Sequence, residues 1–477
     1  MTKRVVLVPT ARPTFAVEAA RRRVDAARAL LEELGAEVVG PRELVMTSDD
    51  VERAAASVDP DADLVVNVCA SFSDATPALR LYAELGRPVL LWSFREPGPV
   101  GDRLWLNSLC GANLFGHALV CAGAEVRWVH GDPGEPLVRE ALRRALDGEL
   151  PTPPILPREH LRFRGERAEL AEVRGLLDGL RGARIGAIGD APTGFTPSEF
   201  DPGQLDALFG ITVDRIDVDD AIERVRAVGA AEQDRELATA STAQPSLRRL
   251  DKAEVRRHAA VTSALRDWRA EGDYAAVAVR CWPEFPTRLG VCPCSSLSRL
   301  ADAGTPTACE RDVLGAVTML LLETLGAGTT YLVDLVDLVD LEEPFDLVRL
   351  WHCGSAATSL AAEPSAATQS VHCNRRIGVA GDFPLRTGPV VLARLAEDPD
   401  AGNRSGLRLL LASGESLPEP NRFQGNTAAV RLDTRAEQLV AGLITGGFPH
   451  HTVLAWTDVR PRLRAAADLL SIPVVEW

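Results

Sequence analysis

The chain has 477 residues, 46% hydrophobic and 25% charged, with a formal net charge of -15. That length predicts about three domains of roughly 150 residues each and is ample for a large core. The negative charge excludes nucleic acid and anionic membrane as partners, because their phosphates would be repelled.

From the N-terminus, "KRVVLVPT" is a short apolar run ending in a turn signal, which predicts a buried strand. "FAVEAARRRVDAARALLEELG" has apolar residues at helical spacing and Gly35 as a stop. "AEVVG", "DLVVNVCAS", the helical "ATPALRLYAELG" and "RPVLLWS" continue the alternation. Strand–helix alternation predicts a doubly wound parallel sheet, a Rossmann-like domain over residues 1–155. Four prolines in "DGELPTPPILPREH" read as a linker. A second α/β domain is expected over 156–350, from "ARIGAIGDAPTGF", "DYAAVAVRCWPEF", "ERDVLGAVTMLLLETLG" and two strand-like stretches around an acidic-proline turn. Gly186, Gly189 and Gly194 do not fit G-x-G-x-x-G, so a plain strand–helix turn is favoured over a dinucleotide site. Residues 351–477 carry short strands between glycine-rich turns, then "RPRLRAAADLLSI" and "PVVEW"; this predicts a mostly antiparallel β domain.

"VLGAVTMLLLETLGAG" is broken by Glu323 and too short to span a bilayer, and "MTKRVVLVPTARP" lacks a signal-peptide core. A cytoplasmic location is therefore expected. The nine cysteines are scattered and odd in number, which favours buried thiols over a disulfide framework. "CPC" at 292–294 lacks a second close pair at zinc-finger spacing.

Four residues that can hold a metal fall at element ends, where functional groups of α/β proteins collect. Asp334 stands in the apolar "TTYLVDLV", where a carboxylate must be paired or ligated to offset its desolvation. His352 ends "FDLVRLWH", Glu310 begins the helix after "GTPTACE", and His451 opens "HTVLAW" after His450. Two carboxylates and two imidazoles without thiolate suit Mn²⁺, with Co²⁺ or Mg²⁺ as substitutes. Bland readings stand beside this. Thr307-x-x-Glu310 fits a capping box, Asp334 could pair with an arginine, and His352 could be a core histidine.

Together, "CERDVLGAVTMLLLETL", "WHCGSA", "GDFPLRTGPVVLARL" and "GGFPHHTVLAW" resemble the L-fucose/L-arabinose isomerase family, most clearly from Arg280 to Trp477. "ARPTF" near the start agrees. The resemblance implies a metal-dependent aldose–ketose isomerase working through an enediol, with Mn²⁺ on Glu310, Asp334, His352 and His451. It makes Glu310 and Asp334 the acid/base pair and His450 a neighbour that shapes the site or hydrogen-bonds a sugar hydroxyl. It also implies a homo-oligomer, trimeric or hexameric, with sites between subunits. Asp334 matches the fucose branch while the chain is short for it, so neither branch's sugar carries over. Arg12, Asn107 and Trp282 are expected to frame a small-molecule sugar substrate, each with a packing or turn reading beside it. The competing functions are a non-catalytic sugar-binding or regulatory protein and a nicotinamide-dependent oxidoreductase.

Overall fold

The computed structural model describes residues 2–159, 167–339, 346–400 and 402–477. Its first sheet is built from β1 (Lys3–Thr10), β2 (Ala36–Val39), β3 (Leu64–Cys69), β4 (Val89–Ser93) and β5 (Val126–His130). All its pairs are parallel, in the order β2-β1-β3-β4-β5. This is the doubly wound arrangement, whose ligand crevice opens at the carboxyl ends of the strands where the order reverses. Here that point lies between β1 and β3.

After β6 (Arg158–Glu159), a second parallel sheet runs β10-β9-β7-β8, from β7 (Arg184–Ile188), β8 (Thr212–Ile216), β9 (Tyr274–Val279) and β10 (Thr307–Cys309). Its central strands β7 and β9 are largely apolar without alternation, as expected when helices cover both faces, while the edge strand β8 carries Asp214 and Arg215.

The third sheet collects β11 (Tyr331–Leu338), β12 (Leu347–His352), β13 (Thr368–Val371), β14 (Gly378–Pro384), β15 (Gly388–Glu397), β16 (Leu407–Leu417), β17 (Asn426–Leu432), β18 (His451–Ala455) and β19 (Val474–Glu476). It is mostly antiparallel. β17 pairs with β16 as well as β12, so β17-β12-β11-β18-β15-β16 closes on itself. Alternate residues of β11 and β18 enter different cores. Leu332 and Val453 pack with the helix Val313–Thr324, while Val333 and Leu454 join a core shared with the first sheet.

The two α/β sheets and the antiparallel region match the expected fold class. The boundary expected at 350 is corrected: β11 and β12 pair with each other, with β18 and with β17, so both belong to the third sheet. Asp334 therefore stands on the same sheet as the histidines, not on the second α/β unit. The expected linker also contributes β6, which pairs with β19. The acidic-proline turn at 340–345 lies outside the described residues. No helix among the described residues is long and apolar enough to cross a membrane.

Candidate active site

Both parallel sheets point the carboxyl ends of their strands at one cleft, and the third sheet closes it. Arg12, Thr14 and Phe15 follow β1, Phe72 follows β3, and Asn107 follows β4. Phe195 comes after β7, Trp282 after β9 and Glu310 after β10. Asp334, His352 and His450 complete the wall from the third sheet. The cleft holds about 570 Å³ of space between these groups, part of it open solvent.

Glu310 does not begin the helix. The helix starts at Val313, and its N-cap is Asp312, whose Oδ1 accepts from the Gly315 N–H at 2.8 Å. Thr307 lies in β10, so the capping-box alternative fails. Glu310 and Arg311 instead make a tight turn with φ of 58° and 56°. Non-glycine residues rarely adopt such a conformation, and it persists only where the surroundings enforce it. Here Ser198 Oγ donates to the Glu310 carbonyl at 2.9 Å, and the Arg311 N–H donates to Val279 O at 3.1 Å. The turn aims the Glu310 side chain into the cleft. Trp282 Nε1–H then donates to Glu310 Oε1 at 2.9 Å.

Strand register brings the other groups in. Asp334 on β11 lies directly across from His451 on β18 and Trp351 on β12, one residue before His352. Side chains directly opposite on antiparallel strands share a face. His451 Nε2 is 3.5 Å from Asp334 Oδ1 and 3.3 Å from Glu310 Oε2. The ligand atoms of Asp334, His352 and His451 lie within 4.8 Å of one another, as do those of Glu310, His450 and His451. The expected set thus converges, with His451 common to both groups. His450 Nε2 stands farther off, 4.0 Å from Glu310 Oε2, and its ring meets Phe195 edge-on.

Neither Asp334 Oδ1 nor His451 Nε2 has a hydrogen-bond partner, although both are buried. Buried orphans of this kind cost free energy unless something satisfies them. Adjacent donors about 2.1 Å from one octahedral ion stand roughly 3 Å apart, so the observed spacings fit a divalent cation.

The electrostatics point the same way. Burial would raise the Glu310 carboxyl, but the facing His451 ring, with His352 and His450 beyond it, outweighs this and holds it at about 2. Burial pushes Asp334 up to about 7; His451 pulls against this and the Glu310 charge adds to it. Burial opposes protonation of His451, yet Asp312 and Glu310 lift it to about 10. His352 falls to about 4 through burial and the neighbouring His451. One imidazole is thus the shared counter-charge of three carboxylates, an arrangement that favours a cation.

Arg12, Asn107 and Trp282 also line the cleft as expected. Asn107 Oδ1 is buried without a partner, an acceptor free for a hydroxyl. Asp312 was missed; its only sequence signal was an acid just ahead of the apolar helix run. Its Oδ2 lies 2.9 Å from His451 Nδ1, and Arg394 donates to both its oxygens. His372, Asn374 and Arg375, also in the lining, come from a turn whose sequence "HCNRR" carries no specific signal. Cys294 lies near Cys353 and His372, and all nine cysteines are free thiols.

No family model matches the chain. It is 34% identical over 475 residues to a sulfoquinovose isomerase from Alkalicoccus urumqiensis, with 99% of each chain covered. A sulfoquinovose isomerase from Priestia megaterium is 30% identical over 469 residues, 98% of each chain. A solved structure, GanP, a glucose-galactose binding protein from Geobacillus stearothermophilus, is 15% identical with a TM-score of 0.18 over 68% of this chain and 92% of that one. That likeness is too weak to carry any argument.

Proposed function

The chain belongs to the family of the sulfoquinovose isomerases and is an aldose–ketose isomerase acting on a modified sugar; from that premise we propose that its substrate is sulfoquinovose and that a divalent cation assists it. Sulfoquinovose is a glucose bearing a sulfonate on C6, so the product is the corresponding 6-sulfonated fructose. The observation that carries the metal reading is the convergence of Glu310 and Asp334 on the unpartnered Nε2 of His451. Glu310, Asp334, His352 and His451 would hold the ion, the same set that the resemblance to L-fucose/L-arabinose isomerases implies. Mn²⁺ is preferred, with Co²⁺ or Mg²⁺ in substitution. When bound, such an ion supplies Lewis-acid stabilisation of charge developing on the sugar oxygens.

The residues themselves do the proton work. A carboxylate of the Glu310–Asp334 pair takes the proton from C2, and the C–H electron pair becomes the C1=C2 bond of an enediol as O1 gains a proton. Return of a proton to C1, with loss of the O2 proton, leaves the carbonyl at C2. Positioned acid–base groups of this kind contribute about 10²–10⁴ in rate. Two carboxylates this close titrate as a pair, so the proton belongs to both. Trp282 fixes Oε1 of Glu310. Asn107 Oδ1 accepts from a sugar hydroxyl, and Phe72 and Phe195 shield the His450 side of the cleft from water. The assembly is proposed to be a homo-oligomer, trimer or hexamer, which light scattering of the purified chain tests. The function is tested by incubating the Mn²⁺-loaded chain with sulfoquinovose and following the ketose by NMR. Ketose formation supports the assignment, and its absence with this sugar removes it.

A further inference from the structure

Arg12 and Arg375 reach one indole from two distant parts of the chain. Their guanidinium carbons lie 4.6 and 5.2 Å from the Trp282 ring centroid, and both residues line the cleft. Among the described residues, no carboxylate comes within 4.0 Å of either guanidinium, and neither makes a side-chain hydrogen bond. Glu310 and Asp74 act on Arg12 only at longer range. Two like charges gathered in a cleft without a counter-ion are unfavourable unless an anion joins them.

The backbones of both arginines are held in place, and both guanidinium groups rest on the Trp282 ring. The Arg12 N–H donates to Ser71 Oγ at 3.0 Å. Arg375 sits in a turn built around the His372 ring, whose Nδ1 accepts from the N–H groups of Asn374 and Arg375 at 3.2 and 3.3 Å. Preorganised groups lose less freedom on binding. Trp282 links them to the chemistry, because its Nε1–H holds Glu310. Trp282 thus touches Glu310 and both guanidinium groups, which places the arginines one indole away from the acid/base pair.

We infer that Arg12 and Arg375 are the specificity-determining anion clamp of the cleft, and that they bind the sulfonate oxygens on C6 of the substrate. This rests on the substrate reading above. Arginine forks donate to tetrahedral oxyanions in pairs, and charge-assisted hydrogen bonds are the stronger kind. The clamp also sets a local positive field in a chain of net charge -15, which would otherwise repel an anionic sugar. Burial lowers the Arg12 pKa, Asp74 opposes this, and the Arg375 charge adds to the fall; a bound anion relieves that strain.

The test compares Mn²⁺-loaded wild type, Arg12→Gln, Arg375→Gln and Arg375→Lys on sulfoquinovose and on 6-deoxyglucose, which has hydrogen in place of the sulfonate. The clamp predicts that the ratio of kcat/KM for the charged over the uncharged sugar falls about 10- to 100-fold in each Gln variant, mostly through KM, and that Lys restores part of it. Equal losses on both sugars, leaving the ratio at its wild-type value, overturn the clamp and leave the substrate reading standing. Calorimetric titration with inorganic sulfate reads the clamp without catalysis. Binding weakened at least about 10-fold in Arg375→Gln supports it, and equal binding overturns it. Glucose 6-phosphate turned over in place of sulfoquinovose, with the same arginine dependence, overturns the substrate reading and keeps the clamp.

Discussion

Asp312 Oδ2 lies 2.9 Å from His451 Nδ1, and this contact decides which nitrogen of His451 faces the carboxylate pair. When an ion displaces the Nε2 proton, the proton kept on Nδ1 and donated to Asp312 turns the Nε2 lone pair to the metal, and such outer partners tune ligands. Asp312→Asn keeps an acceptor for the Gly315 N–H but removes the charge. We predict Mn²⁺ affinity weaker by about 10–100-fold, measured by titration with electron paramagnetic resonance. Arg394, fully buried against Asp312, also loses its anion. Breaking a buried pair of this kind costs about 3–5 kcal/mol, so the variant should melt at a lower temperature. Wild-type Mn²⁺ affinity in this variant contradicts the assignment.

The two adjacent histidines separate by distance. His451 Nε2 lies 3.3 Å from Glu310 and 3.5 Å from Asp334, whereas His450 Nε2 is 4.0 Å from Glu310. Removing a ligand should abolish tight binding; removing a neighbour costs about 10–100-fold. His451→Ala is therefore expected to lose Mn²⁺ more completely than His450→Ala. The opposite order in a metal titration would shift the ligand to His450.

Glu310→Gln distinguishes chemistry from architecture. The helix is capped by Asp312, and an amide oxygen can still accept from Trp282 Nε1–H. Thermal unfolding should stay close to wild type, while isomerisation falls about 10²–10⁴-fold with loss of proton transfer. A variant with wild-type turnover ends the proposed mechanism.

The strands and helices of the parallel sheets were legible because apolar runs and helical periodicity alternate cleanly there. Glu310, Asp334, His352 and His451 could be singled out because a charge or imidazole interrupts or ends an apolar element. The position of Asp334 in the third sheet was not legible. A buried strand reads alike in parallel and antiparallel surroundings, and only pairing with β12 and β18 reveals its sheet. Asp312 hid beside Glu310 because Thr307 upstream offered a competing cap signal. Arg375 lies about 360 residues from Arg12 in sequence, and nothing local marks two arginines that meet only over Trp282.

Acid sensitivity follows from a histidine outside the site. His258 is fully buried; its Nδ1 is 2.9 Å from Ser296 Oγ and its Nε2 has no partner. Burial, then the Arg299 charge, lowers it to about 3. The unfolded chain takes this proton near pH 6.5 and the folded chain only near 3, so stability falls as pH drops below 6.5 and is unaffected above it. From pH 7 to 5 this one group costs about 2 kcal/mol. Urea unfolding of His258→Gln should show a pH 7-to-5 difference smaller by about that amount. An unchanged difference would show that His258 does not carry it.

The most direct test of metal-assisted isomerisation strips the wild-type chain with EDTA and follows sulfoquinovose by NMR before and after Mn²⁺ is restored. The account predicts no ketose from the stripped protein and conversion to an aldose–ketose equilibrium once Mn²⁺ is returned. Conversion at the same rate by protein shown to be free of metal would contradict it.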